Sequence, residues 1–213
     1  VQDNRASEYG PRMTNREALL ESALASLQAK GYADTTARDI TDGAGVSLGA
    51  IGYHFGSTRE LLDAALAEGV RRWFEPLIGL LSQLQPPLNL EQMGPALDGL
   101  LETLSHNRPL VIAYFEALLR AERSPALRTA LAADFHALRN ALTSGIERSL
   151  AHQTEAASPD PAAAASLIMA TFDGLIIQWL LDPQRLESGP RIAETLKRTA
   201  ILVAATTAQR GPL

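Results

Sequence analysis

Residues 35–55 read TTARDITDGAGVSLGAIGYHF, a run compatible with little except two short helices joined by a sharp turn. Thr36 and Asp39 stand three apart, the spacing at which a hydroxyl and a carboxylate cap each other's free amides at a helix start. Ala37, Ile40 and Ala44 then recur on one face of the helix so opened. Gly45 ends it, because glycine adopts the left-handed conformation that other residues resist. Ser47 is expected to restart the helix as an N-cap, a contribution on the order of 1 kcal/mol. In the second helix Ile51 and Phe55 share a face and, with Val46, are expected to pack on Ile40 and Ala44. By subtraction, at about 100° per residue, the outward face is centred on Gly49 and Tyr53 and flanked by Ala50, Gly52 and His54.

Two further capping boxes frame this unit. Thr14-Asn-Arg-Glu17 opens a helix with Leu20, Ala23, Leu24 and Leu27 on one side, closed by Lys30 and Gly31, and Ser57-Thr-Arg-Glu60 opens another through Leu61, Leu62, Ala65 and Leu66. A helix-turn-helix within three helices is an arrangement whose second helix fits the major groove, so duplex DNA is the expected partner. Beyond residue 57 the pattern stays helical, punctuated by proline and glycine, and an all-α fold follows. Helices are expected over about 58–84, bent near Pro76, and over 90–106, 109–121, 125–152, 161–181 and 190–209. Residues 1–13 read as a disordered arm, 14–60 as the helix-turn-helix domain, and 61–213 as a larger helical domain.

These residues resemble the TetR family of bacterial one-component transcriptional regulators. The resemblance rests on the helix ending at Gly31, then TTARDI, AGVS, the GAIGYHF recognition-helix pattern and the STRELL opening, with DGLIIQWLLDP at 173–183 similar to the family's penultimate long helix. The chain departs from the pattern at Leu48, where many members carry a basic residue, at Gly52, where many carry an aromatic, and at Thr58, with Arg59 beside it in place of the usual lysine. The resemblance implies a homodimeric, ligand-responsive, sequence-specific regulator, most simply a repressor. Ala50 and Tyr53 then suit base edges, while Thr36, Arg38, Ser47, His54, Thr58 and Arg59 position the protein on phosphates, with Gly49 and Gly52 letting backbone approach DNA. Its second domain binds a small-molecule effector of unidentified structure and dimerises.

That effector pocket is expected between residues 77 and 172. Tyr114, Phe115, Phe135, Met169 and Phe172 offer apolar walls, and Glu116, His136 and Asp173 offer polar anchors, although aromatics at helical spacing are more often plain core, a single histidine is usually surface or hydrogen-bonded structure, and Asp173 beside Gly174 reads more readily as the cap of a kink. Residues 167–181 are apolar nearly all the way round, which a helix tolerates when buried on two sides; the homodimer is therefore expected through 161–181 and 190–209. In the last helix Ile192, Leu196, Ala200, Val203 and Thr207 form the stripe.

Composition restricts the alternatives. The 213 residues carry a net charge of −5, and residues 1–60 hold six basic and eight acidic side chains, so DNA affinity must come from local arrangement. There is no cysteine, which suits a reducing cytoplasm and removes thiol chemistry. The stretch 167–181, interrupted by Asp173 and Gln178, reads as too short to span a bilayer. Four histidines without metal-ligand spacing, and the absence of GxGxxG, P-loop and GxSxG patterns, give no support to catalysis, metal binding or a cofactor. A rival from another class is a helical dimer that binds a small molecule or a protein without reading an operator.

Overall fold

The computed structural model describes residues 13–83, 94–95, 97–99, 102, 105, 108–151 and 160–210, and among these there is no strand. The helices are α1 (Asn15–Lys30), α2 (Ala37–Ala44), α3 (Gly49–Phe55), α4 (Thr58–Gln83), α5 (Arg108–Ala121), α6 (Pro125–Leu150), α7 (Pro161–Leu181) and α8 (Gly189–Arg210), with a short 3-10 turn at Pro183–Arg185. The described residues of 94–105 are also helical. Most of the helix expected over 90–106, the arm up to residue 12, and residues 156–159 of the loop that the sequence places at 156–161 lie outside the described residues; Pro161 itself begins a helix. Pro76 sits inside α4, which continues past it.

The chain forms two compact units, one comprising residues up to Arg72 together with Pro109–Leu131, the other Trp73–Arg108 and the residues from Ala132 onward. In the first, the helix starts follow local chemistry. Thr14 accepts from the Glu17 amide while Glu17 reaches back to the Thr14 amide, and Thr36 and Asp39 repeat the exchange. Leu19, Ala23, Leu24 and Leu27 supply the buried face of α1, so Leu19 and not Leu20 is the core leucine, Leu20 being half-buried. The turn-by-turn series 19, 23, 27 fixes the buried line, and Leu20 flanks it. Ile40, Ile51 and the α4 residues Leu61, Leu62, Ala65 and Leu66 complete this core with Val111, Tyr114 and Ala117 of α5.

Carboxylates on this unit are held by cations and amides. Lys30 Nζ lies 2.5 Å from Asp39 Oδ1, and this contact, with the Thr36 bonds, pulls the Asp39 carboxyl well below its usual range. Arg72 binds Glu21 of α1 and Glu68 of its own helix, lowering both carboxyls: Glu21 through Arg72 foremost, Glu68 through Arg71 first and Arg72 after it. Glu17 is lowered by its Thr14 bonds. Depressed carboxylates contribute stability that is fully present above their unfolded pKa, about 4.3 for glutamate, and lost as pH falls through the folded values. Thermal denaturation is therefore expected to show a falling midpoint below about pH 4.5, and Glu21→Gln should shrink that drop; an unchanged acid limb in the variant contradicts the assignment.

The second unit buries Trp73, Phe74, Leu138, Ala165, Ile176, Trp179 and Ala193. Asp160 caps α7 by accepting from the Ala162 amide at 3.1 Å, with Pro161 at the first helical position. At the other end of α7, Arg108 donates to the Leu180 carbonyl at 3.0 Å and lies over the Trp179 ring at 5.2 Å. Asp98 accepts from the Gly189 amide at 2.6 Å, fastening the start of α8. With its first residues included, α7 runs 21 residues and is long and apolar enough, by length and composition, to cross a membrane. Residues 161–166, themselves mostly alanine, extend the stretch 167–181, which alone is too short to span a bilayer. Leu167 is 69% and Leu181 82% exposed, and Ile168 and Ile177 are also exposed, so α7 shows an apolar face that this single chain leaves uncovered.

Candidate nucleic-acid interface

The turn between α2 and α3 is built by backbone geometry. Gly45 adopts φ 65° and ψ 33°, the left-handed region where a side chain is strained, and its amide donates back to Asp42 while the Val46 amide donates to Thr41 at 3.1 Å. Gly43 answers a different need: a Cβ there would collide with the Ser22 hydroxyl, which itself donates to the Ile40 carbonyl at 2.8 Å. The α1–α2 contact thus sets how α2 lies, and α2 with its turn sets α3.

Ser47 does not cap α3. Helix α3 begins behind Leu48, and its first turn is closed by the Ala50 amide donating to the Ser47 carbonyl at 3.0 Å and the Ile51 amide to the Leu48 carbonyl at 3.2 Å. Leu48 already has helical angles, φ −57° and ψ −34°, which leaves Ser47 one residue too early to serve. Inward, Ile51 is buried with Ile40. Phe55 is half-buried under the guanidinium of Arg16, 4.9 Å from its ring centre, so Arg16 is a packing group as well as a cation.

The predicted contact residues come to the surface of one unit. Thr36, Arg38, Ser47, Gly49, Gly52, Tyr53 and Arg59 are exposed, and Ala50, His54 and Thr58 are half-buried. Tyr53 is 85% exposed and stands edge-on to the His54 ring at 4.8 Å. Among the described residues no carboxylate pairs with Arg38 or Arg59, which leaves both for phosphates; the carboxylates nearest in sequence, Asp39 and Glu60, are engaged by Lys30 and Ser57.

A cluster that local sequence reading missed pins the loop feeding α2. Asp63 of α4 accepts from the Tyr32 hydroxyl at 3.3 Å and from Arg120 Nε of α5 at 3.0 Å, while Glu116 accepts from the Tyr32 amide at 3.3 Å. Arg120 also lies over the Tyr32 ring at 5.3 Å. Burial, then the Asp63 charge, raises the Tyr32 phenol above its ordinary range, and Asp63 raises the Arg120 guanidinium. Glu116, read from sequence as a ligand anchor, is here a structural acceptor, and Tyr114 is a fully buried core residue with its ring against Phe115 at 5.0 Å.

The second unit contains a small apolar cavity of about 20 Å³, lined by Trp73, Phe74, Leu77, Phe135, Leu138, Met169, Phe172 and Asp173. Of the residues expected to bind an effector, it brings together Met169, Phe172 and Asp173, with Phe135. Tyr114, Phe115 and Glu116 belong to the first unit, and His136 is exposed. Among the described residues no group of three His, Asp or Glu side chains is placed to hold a metal ion.

Comparison with known proteins agrees with this architecture. Residues 19–65 match the profile of bacterial regulatory proteins of the tetR family, and residues 89–201 match that of the BetI-type transcriptional repressor C-terminal region. The HTH-type transcriptional repressor KstR2 of Mycobacterium tuberculosis is 31% identical over 113 residues, 53% of this chain and 55% of that one. The chain thus spans about half the length of the curated relatives it matches. Among solved structures, the multidrug binding protein EbrR complexed with proflavin is 26% identical with a TM-score of 0.63, covering 87% of this chain and 99% of that one. A TetR transcription regulator from Haloarcula marismortui shares the fold at TM-score 0.69 and 23% identity, over 85% and 95% of the two chains. With a family profile covering more than half its length, and a helix-turn-helix built as described, the chain belongs to the TetR family of bacterial transcriptional regulators.

Proposed function

We propose that the protein is a homodimeric repressor that binds operator DNA through α2 and α3 and releases it when a small molecule binds the second unit. The observation that carries the reading is the exposed outward side of α3, with Tyr53 standing clear of the protein on a helix anchored from behind by Ile40 and Ile51. Residues 14–60 form the DNA-reading part and 61–213 the effector and dimerisation part. The protein acts without catalysis, in the cytoplasm. The uncovered apolar face of α7, with the half-exposed Leu196 of α8, supports pairing with a second copy through 161–181 and 190–209. The stripe positions Ala200, Val203 and Thr207 lie outside the residues whose side chains are described. Selection of duplexes from a randomised pool by the full-length protein tests DNA reading: one enriched palindromic sequence supports it, and recovery of unrelated sequences counts against it.

The effector site is the cavity around Phe172. At about 20 Å³ it has room for about one water molecule, whereas small-molecule sites run to hundreds of Å³, so an effector must favour a widened conformer. A ligand shifts the equilibrium only through such differential affinity. Four aromatic rings, a thioether and the single carboxylate of Asp173 suit a planar organic cation. The similarity to EbrR, solved with proflavin and with ethidium, supports that class. Proflavin fluorescence titration is expected to show binding that Asp173→Asn weakens about tenfold, the scale of a lost charge-assisted contact. Equal affinity in the variant removes Asp173 from the site.

A further inference from the structure

We propose that Leu48 is a specificity-determining residue that reads thymine methyl groups in the major groove. The inference rests on the operator-binding reading of α3. Leu48 is 63% exposed, and among the described residues of α2, α3 and the turn between them it is, with Tyr53, the large apolar side chain left in solvent. Its helical backbone angles extend the α3 geometry by one residue, so Leu48 and Gly52 share a flank one turn apart. A Cβ at Gly52 would meet nothing within 4 Å, and one at Gly49 only the Ser47 hydroxyl at 3.9 Å. Packing within the protein therefore does not demand either glycine, and their bareness leaves the Leu48 side chain standing above its surroundings at the end of the recognition helix that meets base edges.

Leucine at this place has no charge for a phosphate and no hydrogen-bonding group for a base edge. The apolar feature that base pairs present in the major groove is the C5-methyl of thymine. A leucine that its own chain leaves 63% exposed is satisfied by that methyl and by no other part of a base pair. Tyr53, at the centre of the outward face and 85% exposed, carries a hydroxyl as well and reads a different position.

The test uses the full-length protein and the duplex enriched from a randomised pool, with each thymine replaced in turn by deoxyuridine, which removes only the methyl. The wild type is expected to bind about fourfold more weakly at one such position per half-site, and about fifteenfold when both half-sites are changed, the effect of burying one methyl-sized group. Leu48→Ala, at an exposed position that does not disturb folding, is expected to bind thymine and deoxyuridine equally there while still discriminating at the Tyr53 position. Retained discrimination at every thymine in Leu48→Ala, or a selected duplex with no methyl-sensitive position, overturns the inference and leaves operator binding standing. Failure to enrich any sequence overturns both.

Discussion

Replacing Tyr53 with alanine is expected to lower affinity for the selected operator about 30-fold or more, while helix content and oligomeric state stay as in the wild type. A good base-edge contact is worth about 1–3 kcal/mol, and a two-fold dimer uses the residue twice, so at least about 2 kcal/mol is removed. The fold does not depend on the ring: the side chain is 85% exposed, and within the protein it loses its edge-on contact with His54. Fluorescence anisotropy with a labelled duplex measures the first quantity and sedimentation the second. Affinity within about threefold of wild type would remove Tyr53 from the interface, since it would leave less than the smallest contact of this kind.

Asp63→Ala is expected to destabilise the helix-turn-helix unit by about 3 kcal/mol, read as an earlier unfolding midpoint in urea at unchanged slope. Asp63 is buried and is the shared acceptor for Tyr32 and Arg120, so its removal leaves a largely enclosed guanidinium and a phenol without their acceptor. Replacing both charged partners by leucine should recover much of the loss, because the desolvation of the orphaned charge disappears with it. If Asp63→Ala unfolds within about 0.5 kcal/mol of wild type, a surface-like magnitude, the cluster does not hold the loop. The consequence for function is direct. The loop from Gly31 to Thr35 delivers the chain to the Thr36 cap of α2, and Thr35 itself donates to the Gly31 carbonyl at 2.7 Å. Loosening Tyr32 therefore loosens the presentation of α2 and α3 together.

What could be read from the sequence was what local chemistry decides. The exchanges of Thr14 with Glu17 and of Thr36 with Asp39, the left-handed Gly45 and the buried pair Ile40 and Ile51 depend on neighbours a few residues away. Two readings failed by a single residue for related reasons. Leu20 and Leu19 both fit a helical stripe, and packing against other helices chose Leu19; Ser47 is a good cap, but Leu48 had already entered helical geometry. The Tyr32, Asp63, Glu116 and Arg120 cluster joins residues 31 to 84 positions apart, beyond any periodicity, which is why Glu116 read as a ligand anchor. The cavity was legible as composition only. Phe135, Met169 and Phe172 read as apolar walls from residue type alone, while Trp73, Phe74 and Leu77 enter it from the far half of α4.

The central claim is sequence-specific binding to DNA, and its most direct test is the ratio of affinities for the selected duplex and for a scrambled duplex of the same composition, measured across a salt series. A preference of about 10³-fold or more is expected near physiological salt, with affinity falling as salt rises despite the chain's net charge of −5. Equal affinity for the two duplexes at every salt concentration would contradict it, and would leave a helical dimer that binds a small molecule or a protein without reading an operator.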